Sequence, residues 1–461
     1  MSLIKADFTK GEILGSGAWY GASTIFMRGI AALNTFVVIY FLTLYEYGAF
    51  KLLLSLVGIF QVFVLSGLDG IVRNEIAQHI KNNHEKSAAQ LFFELLLVQG
   101  LLATTVWLLL VITIKFYFIR FYPDNFINIM LLASFTILLN FLNDLFSLFY
   151  RGVGAIALMS KINSVIGVVK LMVLVTVFWW LSPGIVSIIV VIIISQLISH
   201  VAYLFFARHD LWSWWQFYKF DSQFSIWQII KSYGRWSIFT NVLASLLSNG
   251  RNYIIKFLIS TEAVAIWSVA LSMTSLLYSL IPSDKILSIF LPYKIKFGDL
   301  KVEYYRLYTK YLTVAYTSLM IIGWIGATIV ITVFFPSYKA SLHLFYLMSL
   351  VSMLSGVNDF VASYLHTLRH QKVIFYRTLQ KNILAVTFMV LFVSLFGYIG
   401  LAFEYLLTTT YLVMFSYFSL VRLHPELRLT RANFSFSKSE WHYLVGRISD
   451  MISGLKSSNH S

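Results

Sequence analysis

The chain has 461 residues, of which 59% are apolar and only 12% charged, and its mean hydropathy is +0.77. An average soluble domain carries roughly 25% charged residues and lacks the interior to hide so much apolar side chain, so a soluble enzyme, a disordered chain and a coiled coil are excluded. What remains is an all-α polytopic membrane protein with a net charge of +15, a charge that nucleic acid or cytoplasmic loops would each explain.

Apolar runs of about 20 residues between breakers predict twelve transmembrane helices, at 17–42, 52–68, 88–113, 126–149, 162–181, 185–206, 236–255, 263–283, 311–334, 342–365, 382–396 and 400–421. The first carries Arg28, about 11 residues in and so roughly 17 Å deep at the helical rise, too far to snorkel easily. The third carries Glu94 with Gln90 one turn earlier. The fourth has a polar stripe of Asn140, Asp144, Ser147 and Arg151, and the fifth has a central Lys170. Tight turns are predicted at Pro183-Gly184 and between Gly397 and Gly400.

Segment 207–235 is long and aromatic (Trp212, Trp214, Trp215, Trp227). It reads as an interfacial linker between an N-terminal six-helix lobe (1–206) and a C-terminal one (236–421). In the second lobe the seventh helix bears Asn241, Ser245, Ser248, Asn252 and Lys256, with Arg251 in its outer part. The eighth bears Ser268, Ser272, Ser275 and Ser279; the tenth bears Ser352, Ser355, Asp359, Ser363 and His366. Steps of three and four put each set on one helix face. The tail 422–461 holds the capping-box pattern Ser437 to Glu440, followed by an amphipathic pattern from Trp441 to Leu455.

The basic residues settle the sidedness. Of 35, the segments on the side of the N-terminus hold 27, the opposite side five, and Arg28, Lys170 and Arg251 lie inside spans. That bias predicts both termini in the cytoplasm and removes nucleic acid as a partner.

Two short stretches repeat. Phe41, Leu42, Glu46 and Ala49 recur 216 residues later as Phe257, Leu258, Glu262 and Ala265, and Asn143-Asp144 recurs 215 residues later as Asn358-Asp359. Lys161 and Arg377 also match at 216. Six spans separate the copies, so both have one orientation, which predicts a parallel repeat about an axis along the membrane normal and a V-shaped central cavity.

Ionisable groups in hydrocarbon cost several kcal/mol and mark a cavity or a partner. Arg28, Lys170 and Arg251 are therefore read as a cationic cavity for an anionic substrate, with helix-to-helix pairing with an acid, or snorkelling, as the alternative. Asp144 and Asp359, each near a helix C-terminus where the dipole disfavours a carboxylate, are read as gates or ion-coupling groups together with Arg151, His366 and Glu94. A structural pairing is the alternative there. No nucleotide-binding loop, metalloprotease motif or catalytic triad is found, and no cofactor or metal is expected. With no cysteine, thiol chemistry and disulfides are excluded.

The junction Leu42-Thr-Leu-Tyr45-Glu46-Tyr47-Gly48-Ala-Phe50 resembles the L-x-x-x-E-Y-G junction of polysaccharide flippases, and Leu246-Leu-Ser-Asn249-Gly-Arg251 with Ile266-Trp267-Ser-Val-Ala270 resembles the second-half entry of the same family. The family is that of Wzx-type O-antigen and lipid-linked oligosaccharide flippases, within the MATE-like superfamily, and the likeness covers about 17–421. Val264 stands where a glycine is usual. The resemblance implies a two-lobe flippase of the bacterial inner membrane. It would turn a polyprenyl-diphosphate-linked oligosaccharide to the outer leaflet by alternating access, with a polysaccharide polymerase and assembly proteins as partners. A MATE-type drug/cation antiporter would want deep acids where Arg28 and Lys170 stand. A membrane glycosyltransferase or polymerase would want a large outer loop, which the short outer loops do not supply.

Overall fold

The computed structural model describes residues 10–64, 68–120, 123–180, 184–218, 225–281, 283, 287, 302–368 and 371–430. All regular structure among them is helical. The N-terminal half comprises α1 (Lys10–Phe41), α2 (Leu44–Gln61), α3 (Asp69–Lys81), α4 (Glu85–Phe116), α5 (Asp124–Ser134), α6 (Thr136–Gly152), α7 (Ile156–Trp180) and α8 (Ile185–Phe217). A short α9 (Ser225–Ile229) and a π turn (Ile230–Gly234) lead into α10 (Arg235–Leu258). The C-terminal half continues with α11 (Thr261–Ser279), α12 (Val302–Phe334), α13 (Ala340–Ser349), α14 (Ser355–Thr367), α15 (Gln371–Phe396) and α16 (Ile399–Leu423).

The expected spans overlap helices or helix pairs, with the second, expected at 52–68, displaced from α2, which runs from Leu44 to Gln61. Among the described residues ten segments are long and apolar enough to cross a membrane, α5 with α6 and α13 with α14 each forming one of them; α2 and α10 fall outside that group. The chain is a multi-pass membrane protein. Its outward side chains form the apolar surface a bilayer requires, with Phe116, Trp179, Trp180 and Phe257 among the most exposed.

Several helices run past the expected ends. α8 continues through the aromatic segment to Phe217, burying Trp214 against Phe92 and Phe149. α15 begins at Gln371, eleven residues before the expected 382. The turn at Gly397 is as expected: its φ of +60° suits only glycine comfortably, and it joins α15 to α16. The amphipathic tail pattern and Pro183 lie outside the described residues.

The repeat has structural counterparts within one residue of that offset, at 215 and 217. Thr43 caps α2, its side chain accepting from the Glu46 backbone at 3.2 Å while the Glu46 carboxylate accepts from the Thr43 backbone; Ser260 caps α11 through the Ala263 backbone at 3.2 Å. The Trp107 indole donates to Ser134 at 3.2 Å, and the Trp324 indole donates to Ser349 at 2.6 Å. Each serine also donates to a carbonyl three residues back. The helix breaks immediately after both, at Phe135 and at the 3-10 turn Leu350–Leu354. The two halves thus share an indole-to-serine bond at the point where the helix breaks.

The buried cores explain how the halves meet. One continuous core at the face opposite the termini takes residues from both halves, including Leu42, Tyr47, Phe50, Trp267, Phe335 and Phe345. Toward the termini it splits into two: one around Ile76, Phe149 and Trp214, the other around Tyr305, Phe360 and Leu420. The joint is tight where α2 meets α11, since a Cβ on Gly48 would fall 2.1 Å from the Thr261 carbonyl oxygen. Asn252 and Tyr253 of α10 tie the same joint, donating to the Ser55 hydroxyl at 2.7 Å and the Leu52 carbonyl at 3.0 Å.

Candidate functional site

α11 ends at Ser279, just before Ile281-Pro282, because a residue ahead of proline is pushed out of helical geometry. Its last carbonyls are left without helical partners and carry the negative end of the dipole. Arg28 takes one of them. Its Nη1 donates to the Ser279 carbonyl at 2.5 Å, from the first helix of one half to the other half. The rest of the guanidinium faces a cavity of about 390 Å³, whose C-terminal-half wall includes Ser275, Tyr278, Tyr316, Ser355, Asp359 and Tyr405.

Asp359 shares that cavity. One carboxylate oxygen accepts from the Tyr316 hydroxyl at 3.2 Å and from Ser283. These two bonds reach α12 and the segment after α11, within its own half. Asp144 has a different setting. It is exposed toward a small cavity of about 20 Å³ that it shares with Gln61, Asp69 and Gln99, where Gln99 donates to Asp69 at 3.1 Å. The matching aspartates do not meet across the halves, and Asp144 forms no ion pair with Arg151 among the described residues.

The three cations expected in one cavity are placed in three environments. Lys170 lines a separate chamber of about 300 Å³ between α1, α2, α7 and α8; Met27 faces that chamber while its neighbour Arg28 faces the other cavity, as successive helical residues must. Arg251 is buried in an ion pair, its Nη2 lying 3.0 Å from Glu404 Oε1. Its guanidinium also covers the Trp267 ring at 5.1 Å. Arg251 is thus paired with an acid, one of the alternatives to the cavity reading.

Glu94, expected as a gating or coupling group, holds the start of α9. It is 1% exposed, receives the Gln90 side chain at 3.1 Å, and accepts the Ile226 backbone N–H at 3.0 Å. A carboxylate on a free N–H in the first turn of α9 is a favourable cap. The His366 side chain lies outside the described residues. No three metal-ligating side chains stand together among the described residues.

Three residues were absent from the sequence expectation. Glu404, wholly buried, is held by Arg251 and by the Thr408 hydroxyl at 3.1 Å. Arg377 and Lys381, counted there as cytoplasmic, lie inside α15, and the charges of Arg251 and Glu404 reach Lys381. The signal was present: Arg377 and Lys381 are one turn apart, with no glycine or proline from Gln371 to Phe396 to stop the helix between them and the apolar run.

By sequence, residues 13–284 match the family described as Polysaccharide biosynthesis protein. No curated protein matches the chain. Its fold is shared by solved structures of the MOP superfamily. A MATE in complex with MaL6 is 12% identical over 89% of this chain and 97% of its own, with a TM-score of 0.66. An inward-facing multidrug resistance MATE family transporter is 12% identical over 87% and 95%, at 0.66. A MOP superfamily transporter from Pyrococcus furiosus, described by a reverse polarity of its binding pocket that suggests a different function, is 13% identical over 90% and 96%, at 0.62.

Proposed function

We propose that this chain, which belongs to the polysaccharide biosynthesis protein family, turns a polyprenyl-diphosphate-linked oligosaccharide from the cytoplasmic to the outer leaflet of a bacterial inner membrane by alternating access of two six-helix lobes. The observation that carries this reading is Arg28: a guanidinium that bridges the halves at a polar cavity, with donors left to bind a diphosphate. Its bond to the Ser279 carbonyl is made across the joint, so substrate that draws Arg28 away also loosens one contact between the lobes.

The split of the core supports a cavity open toward the termini, and the basic-residue bias puts that side in the cytoplasm. The lipid tail stays in hydrocarbon through the gap between lobes while the sugars occupy the interior.

A drug/cation antiporter of the same fold is the second reading, and Asp359 is the observation that favours it. Its carboxylate is already engaged by Ser283 and Tyr316, and Arg28 in the same cavity repels a cationic drug. The reversed polarity reported for the Pyrococcus furiosus protein is a precedent for such a change on this fold.

In cells that display a surface glycan through this protein, Arg28→Ala is expected to abolish display and leave lipid-linked glycan on the cytoplasmic leaflet. Arg28→Lys should be milder, keeping the charge and losing the planar fork. Normal display by Arg28→Ala at ordinary expression would contradict the proposal.

A further inference from the structure

The Lys170 chamber has an unbalanced wall. Two ammonium groups line it, Lys51 and Lys170, and no acid does. Lys51 lies over the Tyr47 ring at 5.2 Å; Lys170 makes no hydrogen bond or ion pair among the described residues. Two further residues of the same wall, Tyr47 and Asn34, each carry a polar atom, the hydroxyl and Oδ1, that is buried without a hydrogen-bond partner among the described residues. The Tyr47 residue is only 1% exposed. Buried polar atoms are almost always paired, and two cations in a low-dielectric wall call for an anion. The four groups therefore define a built site whose ligand would supply negative charge and hydroxyls together.

We propose that this chamber is a second anion site, separate from the Arg28 cavity, which takes one carboxylate-bearing sugar of the glycan; the identification of a glycan rests on the function proposed above. The carboxylate is received by Lys51 and Lys170, and sugar hydroxyls by Asn34 Oδ1 and Tyr47. About 300 Å³ is at the small end of ligand sites, suited to one sugar and not to an oligosaccharide or a polyprenyl chain. Inorganic phosphate would leave the apolar wall of Ile30, Phe50, Leu174 and Val191 uncovered, whereas a pyranose presents C–H faces to it. A fatty acid would cover that wall but strand the Asn34 and Tyr47 atoms.

Position fits a selectivity site. Asn34 and Lys51 each lie seven residues from the ends of α1 and α2 at the 42–43 loop, about 10 Å below that face at the helical rise. The chamber thus sits nearer the face opposite the termini than Arg28 does. It would test an acidic residue of the glycan after the diphosphate has engaged Arg28.

The test is binding to the purified full-length protein in detergent, by thermal shift and calorimetry, with sodium glucuronate, glucose and inorganic phosphate at equal ionic strength. Glucuronate is expected to bind saturably and raise Tm, and glucose and phosphate are not. Lys51→Gln and Lys170→Gln should each weaken glucuronate binding at least tenfold, and Lys170→Met, which suits an apolar wall, covers the case in which glutamine disturbs folding. Arg28→Ala should bind as wild type does.

Failure of the wild type to bind glucuronate, an equal response to phosphate, or loss of binding in Arg28→Ala with Lys170→Gln unaffected would each overturn the site. Binding is read here without lipid. A chain that binds glucuronate yet moves no lipid-linked glycan contradicts the function alone, and one that moves glycan without binding glucuronate contradicts the chamber alone.

Discussion

Arg251 and Glu404 form a buried ion pair at 3.0 Å that fastens α10 to α16, the first and last long helices of the C-terminal half. Glu404 is wholly enclosed and also holds the Thr408 hydroxyl. Two charges taken out of water gain little over a good apolar packing, yet removing one alone leaves the other uncompensated, at a cost of about 3–5 kcal/mol. Arg251→Ala and Glu404→Ala are expected to lower thermal stability in detergent by that order, and the double change Arg251→Met with Glu404→Leu to recover most of it. An Arg251→Ala protein of normal stability that has lost transport would return Arg251 to the substrate-binding set.

Gly48 stands where α2 and α11 meet with no room for a side chain. A methyl group there would meet the Thr261 carbonyl at 2.1 Å, and backbone does not yield as a flexible side chain does. Gly48→Ala should part α2 from α11 at the face opposite the termini. With no native cysteine, single cysteines at Leu44 and Ser260 can report the change. Their reactivity toward impermeant thiol reagents should rise severalfold in Gly48→Ala, and an unchanged rate would show that the joint absorbs the methyl group.

Glu94 fixes the connection between the halves through the Ile226 backbone. Glu94→Ala should raise hydrogen exchange across 225–229, and Glu94→Gln, which keeps an acceptor oxygen, should do so less. Unchanged exchange together with lost transport would make Glu94 a coupling residue after all.

The two aspartates of the repeat should respond differently. Asp359→Ala removes the acceptor that Ser283 and Tyr316 share, while the bond between the two hydroxyls remains, a loss of about 1 kcal/mol that should appear as a lower Tm. Asp144 faces a cavity and takes no hydrogen bond among the described residues, so Asp144→Ala should leave the free energy of unfolding within about 0.5 kcal/mol of wild type. Equal losses in the two variants would mean that Asp144 is also held by structure. Cysteines near either position should label alike in both backgrounds, because the aspartates do not bridge the halves.

Much of this architecture was legible in the sequence because helix positions follow from runs of apolar side chains, and the repeat from a constant offset. The Thr43 and Ser260 caps sit where the repeated motif begins, so the pattern at 41–50 records cap chemistry as much as packing. What periodicity does not encode is which face of a helix meets which neighbour. Arg28, Lys170 and Arg251 look alike as charges in apolar helices, and only tertiary placement separates a cation bound to a helix end, one lining a chamber and one paired with Glu404. Hydropathy also truncated α15, because Arg377 and Lys381 lower the local average where the helix continues. The same error hid α8 beyond 206, where Arg208, His209 and Asp210 interrupt an apolar run that stays helical to Phe217.

In the proposed function, Arg28 binds the diphosphate of the lipid-linked substrate at the joint between the halves. This role is tested most directly in proteoliposomes holding the purified protein and a fluorescent polyprenyl-diphosphate-linked oligosaccharide, with leaflet exchange read by a quencher confined to one side. The account predicts transfer by the wild type and at least a tenfold slower transfer by Arg28→Ala, a barrier change of about 1.4 kcal/mol or more, with Arg28→Lys between them. Transfer by Arg28→Ala at the wild-type rate, or none by a stable wild-type protein, would contradict it.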